Sequence, residues 1–345
     1  MHTTSARSAR GPAQARTGYR RRGGILTLLA ALACLAGFAM AELETSASKP
    51  ATPPSGTVTP SAPAAPRPER LAGVSWPAQG VSAADINGFG VVAGPGATRP
   101  VAIASVAKVM TAYVILHDHP LPSGGSGPDI AVQPSEAAAY PSQVRDGDSL
   151  VPVVDGERLT ERQALEALLL PSADNVAWIL ARWDAGSQAA FVARMNATAR
   201  RLGMTGTSYT DPSGLDPSTT STAADQVRLG IAAMRVPVLA TIAAMSTAVV
   251  PVAGLVRNYN TLLGQDGIAG LKTGSTQAAG GCVLIAAWHN PSGHRTLIVA
   301  AVLGQPGTAQ TILPNALRAG HNLVLALDRA LGPGTRRQKD LTTHG

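Results

Sequence analysis

A serine hydroxyl holds its proton too tightly at neutral pH to be a good nucleophile, so a chain that uses one must place a base beside it. Ser105 and Lys108, in Ser105-Val106-Ala107-Lys108, stand in that relation, three residues apart on one face of a helix. Spacing alone proves little, because Ser46 and Lys49 repeat it inside a Pro-, Ala-, Ser- and Thr-rich stretch with no apolar bulk to fold around them. The surroundings separate the two. Ser105 to Leu116 is apolar on nearly every side, as a helix at the centre of a domain would be, and a buried amine there is expensive without a partner or a role. Two further polar groups could meet this pair. Ser172-Ala173-Asp174-Asn175 follows Pro171 between two helical segments, where the same residue types also serve as helix caps. Lys272-Thr273-Gly274-Ser275 lies in a strand-like segment: Gly274 permits close backbone approach, and the Thr273 and Ser275 hydroxyls suit a carboxylate.

The elements that must hold these groups follow from hydrophobic period and punctuation. Val81 to Ala93 has strand character, and Leu165, Leu168 and Leu169 place an apolar stripe on a helix that starts near Thr160 and stops at Pro171. A new helix is expected from about Val176 to Trp183, and another from Gln188 to Leu202 that ends at Gly203. Thr222 to Asp225 resembles a capping box opening a helix toward Met234. Beyond Gly264, the stretches Ile268 to Thr276, Gly281 to Trp288 and Arg295 to Leu303 read as successive strands, with Asn290-Pro291-Ser292-Gly293 as a turn, and Ala309 to Leu331 closes the chain as a helix. The fold class is therefore α/β of the α+β type. An antiparallel sheet is flanked by helices, an all-helical lobe is inserted in the middle, and the cleft between them is the natural site.

Composition bounds where this unit works. Residues 1–22 contain no acidic side chain and end in Arg20-Arg21-Arg22, directly before the uncharged run 23–41. That pattern is a basic cytoplasmic arm followed by a signal peptide or a retained membrane anchor, and Ala39-Met40-Ala41 resembles a cleavage site. Residues 42–70 read as a Pro/Ala/Ser/Thr-rich linker, 71–331 as one catalytic domain and 332–345 as a basic tail. The expected location is the cell envelope, outside the cytoplasm. The net charge of +7 sits largely in the two ends, so targeting explains it better than nucleic-acid binding. Cys34 lacks the large apolar residue three places before it that a lipidated cysteine needs, and Cys282 reads as an inert core residue. His117 and His119 flank Asp118 without a metal-binding spacing, and no cofactor is implied.

Taken in chain order, Ser-x-x-Lys, a Ser-containing loop triplet and Lys-Thr-Gly form the motif set of penicillin-binding proteins and class A β-lactamases. The closer resemblance is to the D-alanyl-D-alanine carboxypeptidase family. It rests on Ile103 to Tyr113, Leu168-Leu169-Leu170-Pro171-Ser172, Asp211-Pro212-Ser213-Gly214-Leu215-Asp216 and Gly270-Leu271-Lys272-Thr273-Gly274. It implies the β-lactamase/transpeptidase-like fold, with peptidoglycan stem peptides as substrate and β-lactams as covalent inhibitors. It also implies roles: Ser105 as acylated nucleophile, Lys108 as base, and Ser172 as proton relay. Asp174, Asn175, Lys272, Thr273, Gly274 and Ser275 would then form the substrate-binding wall, with Lys272 and Thr273 on the substrate carboxylate and the Ser105 and Ser275 N–H groups as oxyanion hole. Asp174 departs from the family, whose loop reads Ser-x-Asn. A carboxylate near Lys108 would favour the charged ammonium, unless Asp174 merely caps the next helix. Two other readings follow: a catalytically weak wall-binding protein, and a β-lactamase, which the absence of any Glu after Glu166 disfavours.

Overall fold

A computed structural model describes Leu71 and residues 73–88, 90–290 and 294–331. The arm, the apolar run, the linker, the tail and most of the Asn290 to Gly293 turn lie outside the described residues. Among those described, no single helix is long and apolar enough to cross a membrane.

Five strands make the main sheet: β1 (Val81–Ile86), β2 (Val91–Ala93), β9 (Ile268–Thr276), β10 (Gly280–His289) and β11 (Thr296–Gln305). Their order is β2-β1-β11-β10-β9, antiparallel throughout, which leaves β9 at one edge. Both faces are buried, and the two-residue period of a strand divides its side chains between them. Val283, Ile285 and Ala287 face one way and pack with Leu323, Val324 and Leu327 of the C-terminal helix α8 (Ile312–Leu331). Cys282, Leu284 and Ala286 face the other way and join the core of the helical lobe. Burial on both sides is why these strands are continuous apolar runs. It also pushes the Cys282 thiol up to about 12, consistent with an inert core residue.

The lobe holds α1 (Lys108–Asp118), α2 (Pro134–Asp146), α3 (Glu161–Leu169), α4 (Asp174–Ala185), α5 (Gln188–Arg201), α6 (Ala223–Met234) and α7 (Pro237–Ala243). Three two-stranded pieces accompany it: β3 (Val101–Ala102) with β6 (Thr220–Ser221), β4 (Asp129–Ala131) with β5 (Arg158–Thr160), and β7 (Thr247–Val250) with β8 (Gly254–Arg257). Helix α3 starts where the sequence indicates, because Thr160 and Gln163 cap each other reciprocally. Thr222 Oγ1 accepts from Asp225 N at the start of α6, but the Asp225 carboxylate turns away to Gly206 N, Thr207 and Arg228, so only half of that capping box forms.

Several boundaries differ from the sequence reading. Val81 to Ala93 is two paired strands, turned where Asp85 accepts hydrogen bonds from Gly88 N and Gly90 N. Helix α4 begins at Asp174, two residues early, because Ala173 is extended and a carboxylate suits the positive end of a helix. Ser105 lies in a one-turn 3-10 segment, Ala104–Ala107, directly before α1. Helix α2 has no counterpart in the sequence reading, because it buries no residue and so shows no apolar period.

Candidate active site

The 3-10 turn that carries Ser105 is wedged between the lobe and the edge strand β9. Two glycines, Gly274 on β9 and Gly214 in the loop after α5, lie against it. At Gly274, an added Cβ would lie 2.8 Å from Ser105 N and 3.0 Å from Val106 N, so only a glycine lets β9 run this close to the turn. Gly214 has φ 81° and leaves no room for a Cβ against Ala104 O.

Lys108 is fully buried, and its amine meets three oxygens. Lys108 Nζ lies 2.8 Å from Ser105 Oγ, 2.6 Å from Asp174 Oδ1 and 2.9 Å from Ser213 O. The Ser213 carbonyl is aimed by Asp211. Its Oδ2 accepts from Ser213 N, Gly214 N, Leu215 N and Ser213 Oγ, and its Oδ1 accepts from Thr219 Oγ1. The neighbouring Pro212 O accepts from Thr111 Oγ1 of α1 at 2.6 Å. The Asp-Pro-Ser-Gly stretch thus has a physical role, since one carboxylate folds the loop that offers the lysine a carbonyl. Sequence reasoning found these residues only through resemblance, although an Asp-Pro followed by Ser-Gly is itself a turn signal.

Asp174 spans two elements. Its Oδ2 accepts from Ser149 N at 3.0 Å, and its own N–H donates to Ser149 O at 2.7 Å. Ala173, the residue before α4, supplies no side-chain cap, and the Asp174 carboxylate is engaged by Lys108 and Ser149 instead. Asn175 is buried and bonded to the backbone of Val151 through both amide atoms, holding the same loop. Ser172 has φ 65°, in the left-handed region, and its buried hydroxyl has no hydrogen-bond partner among the described residues. Such a backbone conformation and an unpaired buried hydroxyl each cost free energy, and they coincide at one residue two places before Asp174.

Lys272 and Thr273 are buried on β9, while Ser275 is exposed at its end. Lys272 Nζ donates to Thr273 O at 3.0 Å. Burial and then the positive charge of Lys108 hold the Lys272 amine well below the ordinary lysine range, against a smaller opposing pull from Asp174. Beside Ser149, Asp148 is pushed up by burial and then by Asp174 and Asp146, with Lys108 opposing. Of the nine residues expected at the site, hydrogen bonds join Lys108 to Ser105 and Asp174, Gly274 runs against the Ser105 backbone, and Lys272 feels the charges of Lys108 and Asp174, while Asn175 is occupied with Val151. Among the described residues, no group of three or more His, Cys, Asp or Glu is placed to hold a metal ion.

Comparison with known proteins bears on the family and the fold. Residues 76–307 match the family model described as D-alanyl-D-alanine carboxypeptidase. The D-alanyl-D-alanine carboxypeptidase DacB2 of Mycobacterium tuberculosis is 37% identical over 235 residues, 66% of this chain and 75% of that protein. The D-alanyl-D-alanine endopeptidase of Escherichia coli is 35% identical over 199 residues, 55% of this chain and 60% of its own length. Among solved structures, a penicillin-binding protein homolog from Mycobacterium tuberculosis aligns with a TM-score of 0.62 and 30% identity, covering 78% of this chain and 97% of that one.

Proposed function

Because this chain belongs to the D-alanyl-D-alanine carboxypeptidase family, we propose that it is a serine-type carboxypeptidase that cleaves the terminal D-Ala from peptidoglycan stem peptides through an ester on Ser105. The observation that carries the reading is the 2.8 Å approach of Lys108 Nζ to Ser105 Oγ in a site that supplies the amine with two further acceptors.

The amine is suited to both states of the reaction. Charged, it donates one N–H to each of Ser105 Oγ, Asp174 Oδ1 and Ser213 O. Neutral, it keeps the bonds to Asp174 and Ser213 and accepts the Ser105 hydroxyl proton on its lone pair, which is what a general base must do. Ser105 Oγ then attacks the carbonyl carbon of the penultimate D-Ala. The Ser105 and Ser275 N–H groups stabilise the oxyanion, and the unpaired Ser172 hydroxyl passes a proton from Lys108 to the leaving amine. Water hydrolyses the ester and frees the shortened peptide. Lys272 and Thr273 take the terminal carboxylate. A buried amine that burial and a neighbouring cation disfavour as the ammonium regains its proton when a carboxylate arrives, so substrate supplies the counter-charge. Edge strand β9 gives an extended peptide a ladder to join.

The envelope outside the cytoplasm is where such a substrate lies. Residues 23–41 would deliver the domain there as a cleaved signal or hold it at the membrane, with 42–70 as tether; sequencing the mature N-terminus decides between the two. The central test is acylation by benzylpenicillin of a soluble chain beginning near Leu71, followed by intact mass. One adduct is expected on Ser105 and none in Ser105→Ala, while an unchanged adduct in that variant would refute the assignment.

A second reading has one observation in its favour. The Lys108 amine is tied at 2.6 Å to the buried Asp174 carboxylate, where the Ser-x-Asn loop would offer a neutral amide, and such a tether suits a weakly catalytic wall-binding protein. Release of D-Ala from a pentapeptide, followed with time, separates the two: a slow stoichiometric burst without turnover supports the binding protein.

A further inference from the structure

Away from Ser105, helix α2, helix α4 and the start of α5 enclose a groove of about 310 Å³. It is near the lower limit of volumes that take a small molecule, ~300 Å³. Its chemistry is unlike the apolar core beneath it. The lining includes the partly exposed Trp178, the amides of Gln143 and Gln188, and the Glu136–Arg182 pair. That pair is fixed in place: Arg182 Nε donates to Glu136 Oε1 at 2.6 Å, and Arg182 Nη2 to Glu136 Oε2 at 3.1 Å and to Ala131 O at 2.9 Å. Gln133 N donates to the same carboxylate at 2.8 Å.

Gln143 supplies the observation that points to a ligand. Its Oε1 is buried and accepts no hydrogen bond among the described residues, a cost that a turn of the side chain toward a bound donor would remove. An aromatic face beside preset amides, a carboxylate and a guanidinium is suited to a sugar. The ring's C–H face packs on the indole, while its hydroxyl and acetamido groups pair with planar donors and acceptors. A single charged ligand fits less well, because Glu136 and Arg182 already neutralise each other.

Position supplies the rest. Trp178 and Asp174 are four residues apart on α4, one turn and ~6 Å along one helix, and Asp174 bonds Lys108. Asn175 lines the groove directly. A stem of about five residues spans ~17 Å when extended, so a sugar carrying that stem can reach the groove while the far end of the stem lies at Ser105.

We propose that this groove is a glycan subsite, which binds an N-acetylhexosamine ring of the strand from which the stem peptide hangs. The inference rests on the carboxypeptidase reading, and its test separates the two. Kinetics on a free pentapeptide and on the same peptide linked to its disaccharide are compared for the native chain, Trp178→Ala and Gln143→Ala. The native chain should favour the glycan-linked substrate by about tenfold in kcat/KM, carried by KM. Both variants should lose that preference yet keep native kcat/KM on the free peptide and native penicillin acylation. Calorimetric titration of Ser105→Ala with an N-acetylglucosamine oligomer reads the groove without catalysis, and heat is expected that Gln143→Ala abolishes. Equal kcat/KM for the two substrates in the native chain, or absence of heat, overturns the subsite even where penicillin still acylates Ser105. Loss of penicillin acylation in the native chain would count against the carboxypeptidase reading instead.

Discussion

Lys108 and Lys272 are both removed from solvent at one cleft, at 0% and 1% exposure, yet they reach it from opposite sides and in different company. Lys108, at the start of α1, finds a carboxylate, a carbonyl and a hydroxyl. The amine of Lys272, on the sheet edge, has among the described residues one hydrogen bond, to the carbonyl of its neighbour Thr273. Burial alone does not set what a lysine does. A full set of acceptors satisfies the Lys108 amine, whereas Lys272 is left short of counter-charge until something anionic binds.

The most severe way to break this contrast is to delete each amine in turn. Lys108→Met should cut penicillin acylation by at least ~10²-fold, the usual worth of a general base. It should also destabilise the fold by about 3 to 5 kcal/mol, because Asp174 is left as an unpaired buried charge. Adding Asp174→Leu should restore stability but not acylation. Lys272→Met should behave oppositely, weakening the KM for carboxylate-terminated peptide while leaving the fold as stable or more so near neutral pH. The sign follows from the depressed Lys272 amine: the unfolded chain binds more protons than the folded one, so native stability rises with pH up to the ordinary lysine range near 10.5. Lys272→Met should flatten that rise, and thermal melts across pH check both variants.

A milder change sharpens the comparison at the carboxylate. Asp174 holds the Lys108 amine at 2.6 Å, and both side chains are buried. Asp174→Asn keeps an acceptor beside the amine but removes the carboxylate's charge, and should speed acylation about tenfold near pH 7. Unchanged acylation would reject the electrostatic role. The smallest effect belongs to Lys272: binding a carboxylate-terminated peptide to Ser105→Ala should take up a fraction of a proton. Calorimetry in buffers of different ionisation enthalpy measures it, and Lys272→Met should bind without uptake.

Much of this was legible in the residues. The strands of the sheet are long apolar runs because both faces are covered, and the helices over Glu161, Gln188 and Ala223 announce themselves by Thr160, Ser187 and Thr222 at their starts. Ser105 and Lys108 stand out as polar groups in apolar surroundings, where physics demands a reason, whereas Lys272 was marked only by the family resemblance. What was hidden depends on contacts distant in the chain. Nothing local says that Ser213 O serves Lys108, 105 residues away, or that Asn175 is taken by Val151. Helix α2, with no buried residue, carries no hydrophobic period, and the groove it forms with α4 arises only when they pack.

The sheet register sets the order of assembly. Strand β1, the first of the sheet, pairs along its length with β11, the last, from Val81 against Leu303 to Ile86 against Ile298. A sheet closed by its two chain ends has high contact order, and its loop-closure entropy must be met before the pairing offsets it. Neither Ser105 nor Lys108 can meet Lys272 until β9 exists, and β1 cannot be seated until β11 does. The domain therefore matures only once nearly its whole chain is present, and a chain cut before Gln305 would leave the helical lobe without the sheet it packs on.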